Sequence, residues 1–188
     1  MSNQDVEERI LSMQLDLTND QDCRKFYEAV IAKFNRVDIL INCAGVIFPG
    51  DIENTYPQDY DYLMDINLRT PFLLTKFFQP LLQESRGSIV NVSCDRGSRA
   101  EPGMLGYCMA KAGLEMFTKT AALELAVFGI RVNAVAPGVI DTNLYRYSGL
   151  TESDNSNMLQ RAKDATPLHR NARAEDVAKA IIFLTSEK

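Results

Sequence analysis

The chain has 188 residues, of which 46% are hydrophobic and 24% charged, as is typical of one globular domain large enough to bury a core. Its net charge of −5 comes without a basic block, which argues against nucleic acid and anionic membranes as partners. No apolar run reaches the ~18 residues that a membrane span needs, and the N-terminus lacks a signal-peptide pattern. Four cysteines without C-x-x-C spacing predict free thiols in the cytoplasm, and a single histidine predicts no metal site.

Short apolar runs and amphipathic segments alternate along the chain. Strands are predicted at residues 12–17, 37–42, 88–92 and 131–136, and helices at 22–34, 57–67, 70–83, 105–128 and 174–185. Residues 3–11 are predicted to end a helix, and the polar region 143–165 to be irregular. The run at 37–42 is nearly continuously apolar, as expected of a parallel strand buried on both faces. Strands separated by helix-length segments predict βαβ units and one α/β domain over residues 1–188.

Tyr107 and Lys111 lie four residues apart in the segment predicted to be helical after Pro102 and Gly103. In a helix both side chains occupy one face, a turn apart. A phenol has an ordinary pKa of about 10, and a nearby ammonium lowers that pKa by stabilising the phenolate. Such a tyrosine can exchange a proton with an alcohol or a carbonyl near neutral pH. The same spacing is also common on solvated helix faces, so the motifs around the pair decide its interpretation.

Several motifs surround this pair in a defined order. They are Asp16-Leu17-Thr18, Asn42-Cys43-Ala44-Gly45, Asn67 in DINLRTPF, Tyr107 with Lys111, Pro137-Gly138-Val139-Ile140-Asp141-Thr142, and RAEDVAKAIIFL at residues 173–184. In these motifs, from about residue 13 to 186, the chain resembles the short-chain dehydrogenase/reductase family, in particular its members similar to 3-oxoacyl-(acyl carrier protein) reductase. The resemblance implies a Rossmann-type fold, with a doubly wound parallel sheet in a three-layer α/β/α arrangement.

The resemblance also implies hydride transfer between NAD or NADP and a small carbonyl or secondary-alcohol substrate. Tyr107 would be the acid/base, Lys111 would lower its pKa and bind the cofactor ribose, and Asn67 would support a proton-relay water. The implied cofactor contacts are Asp16 and Leu17 near the adenine, Asn42, Ala44 and Gly45 in the turn after a strand, and Pro137, Gly138, Ile140 and Thr142 near the nicotinamide, together with Tyr107 and Lys111. Helix capping is an alternative role for Asp16 and Asn67, and strand termination for the 137–142 loop.

One departure from the family concerns the phosphates of the cofactor. No two of the ten glycines are spaced G-x-G, so the sequence lacks the Gly-rich turn with which Rossmann folds bind the pyrophosphate. The chain is expected to begin after the family's first βαβ unit and to stop before its last strand. We therefore expect weak cofactor binding, an unpaired strand at 12–17 and an open apolar edge at 37–42. The alternative function is a catalytically silent homologue or fragment that acts through protein association.

The second departure is Cys94, which lies thirteen residues before Tyr107, where the family has its catalytic serine. A thiol is a weaker hydrogen-bond donor than a hydroxyl. Losing a donor to a developing oxyanion typically costs about 10²–10³ in rate, so impaired chemistry is expected. Ser93 should point to the opposite face of the strand. A bulge of one residue at the strand end is the alternative that would let Ser93 serve.

The sequence also predicts that the chain self-associates. Family members commonly pair through helices that match residues 70–83 and 105–128, which implies a homodimer or homotetramer. Segment 70–83 carries more apolar residues than one buried face requires, and the surplus must be covered elsewhere. Phe78 is predicted to point outward, where a charge would separate the subunits.

Overall fold

A computed structural model of the protein describes residues 9–149 and 151–186. The strands are Ile39–Asn42 (β1), Ser88–Val92 (β2) and Arg131–Val135 (β3). The α-helices are Asp20–Phe34 (α1), Pro57–Met64 (α2), Thr70–Ser85 (α3), Leu105–Leu125 (α4), Glu152–Ala165 (α5) and Ala174–Thr185 (α6). A π-helical turn, Asp65–Arg69, joins α2 to α3, and 3₁₀ turns occupy Asp95–Gly97, Ala126–Phe128 and Asn143–Tyr147. No helix of the described residues is long and apolar enough to cross a membrane.

The described strands form one parallel sheet in the order β1-β2-β3. Leu40, Ile89 and Val132 lie on the face that packs against α3 and α4, and they belong to the main hydrophobic core. Helix α6 packs against β2 and β3. The parallel α/β class predicted from the sequence is confirmed, because each strand is followed by a helical segment that returns the chain to the same end of the sheet.

Local capping explains where α1 begins and ends. The Asn19 side chain accepts a hydrogen bond from the backbone N–H of Gln21 at 2.8 Å, and acidic residues occupy the first turn. Asn35 ends the helix in the left-handed conformation, with φ of 49°. The helix cap is therefore Asn19, and the interpretation of Asp16 as that cap is wrong.

The predicted strand at 12–17 is absent from the structure. Leu15 and Leu17 instead line a cavity of about 260 Å³, here called the Leu17 cavity, whose other walls include Ile41 and Asn42 of β1. A strand needs a neighbour that satisfies its backbone groups, and this segment is separated from β1 by the cavity. Of the predicted helix end at 3–11, residues 3–8 lie outside the described residues and residues 9–11 are not helical.

Strand β1 is buried on one face only, so the prediction of burial on both faces is wrong. Leu40 and Asn42 are buried, whereas Ile39 and Ile41 are each 45% exposed. Helix α6 covers the neighbouring strands, and no described element covers these two isoleucines. The exposed apolar edge expected at 37–42 is present.

The region 143–165 is more regular than its polar composition predicted. It contains the 3₁₀ turn Asn143–Tyr147 and helix α5. The Thr151 side chain caps α5 by accepting from the Asp154 N–H, and Glu152 and Asp154 lie in the favourable first turn. Only Asn155 of α5 is buried, which is why the apolar period that marks other helices is missing here.

Phe78 does not point outward. It is 2% exposed and makes edge-to-face contacts with Phe26 and Tyr27 of α1, at centroid distances of 5.7 and 5.4 Å. Helix α3 lies between the sheet and α1, which accounts for its wide apolar circumference. The apolar side chains left exposed on α3 and α4 include Phe72, Met109, Met116 and Leu123.

Candidate active site

Tyr107 and Lys111 lie in the first turns of α4, buried at 5% and 4% exposure. The helix start is anchored by the backbone of Gly50, which accepts from the Leu105 N–H at 3.0 Å. The Lys111 Nζ donates to the Val92 carbonyl at the end of β2, at 2.8 Å, and lies 5.6 Å from the centroid of the Tyr107 ring. The i,i+4 spacing thus turns both side chains toward the carboxyl ends of the strands.

Burial dominates the electrostatics of this pair. It raises the pKa of Tyr107 well above its ordinary value, and the neighbouring Cys94 adds to the rise. Burial also lowers the pKa of Lys111 to about 8. The sequence-based expectation that the Lys111 ammonium lowers the pKa of Tyr107 therefore does not describe this geometry. Removing the phenolate from water raises the pKa, and the cation that opposes the rise is Arg96. Tyr107 is a protonated phenol near neutral pH.

Cys94 lies beside Tyr107, and the register of the sheet explains why. The Ser93 N–H donates to the Val135 carbonyl at 2.8 Å and the Asp95 N–H to the Pro137 carbonyl at 3.1 Å, so the ladder continues beyond β2 without an extra residue. No bulge intervenes. The Ser93 hydroxyl turns toward α4, with Glu115 Oε1 at 3.3 Å. Cys94 is 5% exposed, and its Sγ donates to Asp95 Oδ1 at 3.2 Å.

Asn67 fastens the loop that follows β1. Its side chain is fully buried in the π-helical turn, and its Nδ2 donates to the carbonyls of Val46 and Leu63 at 2.9 and 3.0 Å. Its Oδ1 accepts from the Val46 N–H at 3.3 Å. A Cβ at Gly45 would approach Asn67 Oδ1 to 3.0 Å and Lys111 Nζ to 3.6 Å. Glycine therefore lets the loop pass close to both side chains.

Most of the predicted site residues line one of two cavities, whereas Asp16 and Asn67 line neither. The first, of about 320 Å³ and here called the Tyr107 cavity, is lined by Gly45, Cys94, Tyr107, Lys111, Pro137, Gly138, Ile140 and Thr142. Leu17, Asn42 and Ala44 line the Leu17 cavity. Cys43 lines both. Cys43 is also exposed.

Two residues predicted to contact the cofactor, Asn42 and Asp16, form hydrogen bonds with other residues of the chain. The Asn42 Nδ2 donates to Asn91 Oδ1 at 2.7 Å, and the Asn91 amide donates to Thr118 Oγ1 at 2.9 Å, which forms a buried polar ladder between β1 and α4. Asp16 is exposed and lines neither cavity; its Oδ1 accepts from the N–H and hydroxyl of Thr18 at 2.9 and 2.8 Å. These contacts hold the chain around the cavities.

Sequence reasoning missed Arg96, Tyr145 and the wall formed by α6. Tyr145 is 4% exposed and lines the Tyr107 cavity together with Val177, Ala178 and Ile181 of α6. Arg96 is 5% exposed and pairs with Glu101. The one sequence signal for Arg96 was its position in the turn that follows a buried strand. Tyr145 falls in a polar segment without periodicity. Within the described part of the chain, no cluster of His, Cys, Asp or Glu could hold a metal ion.

Sequence comparisons relate the chain to known oxidoreductases. The family described as Enoyl-(Acyl carrier protein) reductase matches residues 2–188. The 3-oxoacyl-[acyl-carrier-protein] reductase FabG of Thermotoga maritima is 36% identical over 175 residues, 93% of this chain and 69% of that protein. Cyclopentanol dehydrogenase of Comamonas testosteroni is 33% identical over 94% of this chain and 69% of its own. L-fucose dehydrogenase of Bos taurus is 32% identical over 92% of this chain and 64% of its own.

Two solved structures match the fold. A short-chain dehydrogenase/reductase of unknown function from Caenorhabditis elegans, crystallised with cofactor, has a TM-score of 0.88 at 30% identity, over 95% of this chain and 69% of that one. ElxO with NADP bound has a TM-score of 0.86 at 30% identity, over 99% of this chain and 75% of that one. The Rossmann-type class is thereby confirmed. The chain spans roughly two thirds to three quarters of the length of these relatives.

Proposed function

Because the chain belongs to the short-chain dehydrogenase/reductase family, we propose that it transfers hydride between NAD or NADP and a carbonyl or secondary-alcohol substrate. The main support is the convergence of Tyr107, Lys111 and the 137–142 loop on one cavity. These segments are distant in sequence, and the carboxyl ends of parallel strands bring them to the edge of the sheet where open α/β folds bind ligands.

Carbonyl reduction is the direction that uses the proton of Tyr107. Burial raises the pKa of Tyr107, so the phenol carries its proton near neutral pH and gives it up only as negative charge builds on the carbonyl oxygen. A bound nicotinamide supplies the hydride. The Lys111 cation beside the ring offsets the negative charge left on the phenolate, which then regains a proton from solvent.

The Tyr107 cavity fits the nicotinamide half of the cofactor better than the Leu17 cavity fits the adenine half. Gly45 leaves space beside Asn67 and Lys111 that a side chain would fill, and Lys111 offers a buried cation for a ribose hydroxyl. Pro137, Gly138, Ile140 and Thr142 would enclose the carboxamide. The Leu17 cavity is lined mostly by apolar side chains, and the Asn42 Nδ2 already bonds Asn91. With no Gly-rich turn in the sequence, NADH and NADPH should bind more weakly than low micromolar.

The lining of the Tyr107 cavity favours an apolar ketone as substrate. Leu144, Val177, Ala178 and Ile181 add an apolar wall to the lining of this cavity. A hydroxylated sugar would leave its polar groups unpaired against this wall, at about 1–3 kcal/mol for each buried group. We therefore propose a 3-oxoacyl thioester or a cyclic ketone over a sugar such as that of the L-fucose dehydrogenase relative.

The test is turnover with three probes: acetoacetyl-coenzyme A and cyclopentanone with NADH or NADPH, and L-fucose with NAD or NADP. Wild-type protein, Tyr107→Phe and the matched control Tyr27→Phe, a phenol of α1 outside both cavities, are compared. We expect reduction of the two ketones, its loss in Tyr107→Phe, and no change in the control. Cofactor titration by fluorescence accompanies the assay. If the folded chain turns over none of the probes, the proposed enzyme activity is refuted, and the alternative of a catalytically silent homologue is favoured.

We further propose that the chain forms homodimers or homotetramers through α4. Met109, Met116 and Leu123 recur at helical spacing on its outward face and are 46%, 61% and 82% exposed. Phe72 of α3 adds a 49% exposed ring, which packs edge-to-face on Phe117 of α4 at 6.1 Å. A contiguous apolar stripe of this kind is the type of surface that a second copy buries.

A further inference from the structure

A buried charge lies behind the Tyr107 cavity. The Arg96 Nε pairs with Glu101, and its Nη1 is buried without a hydrogen-bond partner among the described residues. The guanidinium lies beside the phenol of Tyr145: burial raises the pKa of that phenol and Arg96 opposes the rise. A buried arginine is costly unless its charge is used, so the group it faces is of interest.

The chemistry of arginine determines which way the Tyr145 proton can go. A guanidinium has five N–H donors and no acceptor, so toward Arg96 the Tyr145 oxygen can only accept. Its own proton must be donated elsewhere, and no described residue accepts it in a hydrogen bond. Tyr145 lines the Tyr107 cavity, which leaves the cavity as the open direction. A positive group behind a phenol also makes its O–H a stronger donor.

Cys94 is poorly suited to donate into the same space. Its thiol proton is directed to Asp95 Oδ1 at 3.2 Å. Burial raises the pKa of the thiol, so it remains a neutral and weak donor. Cys94, Tyr107 and Tyr145 nevertheless belong to one packed cluster and line the same cavity. A substrate oxygen bound at Tyr107 is therefore near a phenol that has a free proton.

We infer that Tyr145, held and polarised by Arg96, donates the hydrogen bond that stabilises the substrate carbonyl oxygen, in place of the side chain at position 94. The inference rests on the proposed function for the presence of a carbonyl substrate. Tyr107 transfers its proton to that oxygen, Tyr145 contributes a hydrogen bond only, and Arg96 is a positioning residue that acts through Tyr145.

The first test is steady-state reduction of cyclopentanone and acetoacetyl-coenzyme A by the full chain. Tyr145→Phe should lower kcat by about 10²-fold with a small change in KM, as for loss of an oxyanion donor. Cys94→Ala should lower kcat much less than Tyr145→Phe does, and Tyr27→Phe should change nothing. Arg96→Met should lower kcat, and Arg96→Lys should retain part of the lost activity. Because Arg96 acts through Tyr145, adding Arg96→Met to Tyr145→Phe should lower kcat little further. A large loss in Cys94→Ala with none in Tyr145→Phe would overturn the inference while leaving the proposed function intact.

The second test does not depend on turnover. Tyrosine labelled with ¹³C at Cζ gives a resonance for Tyr145, assigned by its loss in Tyr145→Phe. Millimolar cyclopentanone, with and without NADPH, should shift this resonance in wild type and in Cys94→Ala, and Arg96→Met should move its pH titration upward. If wild type reduces no probe, the proposed function fails, and the resonance still decides the inference: a Tyr145 signal that responds neither to the ketone nor to Arg96→Met refutes it.

Discussion

Replacing Lys111 by methionine removes a buried charge and should stabilise the chain at neutral pH. Lys111 is 4% exposed, and burial lowers its pKa from an ordinary 10.5 to about 8. A difference of that size corresponds to a penalty of about 3 kcal/mol for keeping the charged form in the folded chain. Loss of the hydrogen bond from Nζ to the Val92 carbonyl offsets about 1 kcal/mol of the gain. The net expectation for Lys111→Met at pH 7 is about 2 kcal/mol of added stability.

The pH dependence makes this expectation specific. The folded pKa of Lys111 lies below the unfolded one, so the unfolded chain binds more protons between about pH 8 and pH 10.5. The wild-type protein therefore gains stability as pH rises through this window and carries the full penalty below it. The advantage of Lys111→Met should shrink by about 2 kcal/mol between pH 7 and pH 9.5.

Urea unfolding of wild type and variant at both pH values measures the effect. The matched control is Lys119→Met, an exposed lysine of the same helix, whose free energy of unfolding should stay within about 0.5 kcal/mol of wild type at pH 7. An advantage of Lys111→Met that is equal at the two pH values, or a variant less stable than wild type at pH 7, would refute the reasoning. Carbonyl reduction should be lost in the Lys111→Met variant, because the charge that destabilises the fold is the one that the active site needs.

Three further predictions concern the pH profile, the loop after β1 and the subunit contact. Carbonyl reduction should be flat from pH 6 to 7.5 and fall as pH rises through about 8, where Lys111 loses its charge; a profile flat to pH 9.5 would contradict this. Asn67→Ala removes the partner of the half-buried Val46 N–H and of the Val46 and Leu63 carbonyls, and should lower the free energy of unfolding by about 2–4 kcal/mol in urea; a loss below 1 kcal/mol would speak against it. Met116→Glu should turn an oligomer into a folded monomer in sedimentation, and a wild-type monomer at tens of micromolar would end the proposal.

Much of the fold was predictable because its signals are local. The strand at Ser88–Val92 and the helix at Ala174–Thr185 have the predicted bounds, since apolar runs and amphipathic periods depend on nearby residues alone. The i,i+4 spacing of Tyr107 and Lys111 likewise required only a helix. Local patterns gave wrong predictions for two segments. Residues 12–17 have a strand-like pattern but no neighbouring strand to pair with, and α5 is stabilised by the Thr151 cap more than by an apolar face.

The sequence by itself determined the family, the parallel α/β class and the residue types available for catalysis. Only the tertiary structure decided which of them face one another. The register of β2 on β3 turns Ser93 toward α4 and leaves Cys94 beside Tyr107. Packing of α1 on α3 buries Phe78, and burial of Tyr107 reverses the expected direction of its pKa. Exposure and electrostatic surroundings depend on residues far apart in the chain, and these are brought together only by the packed sheet and its helices.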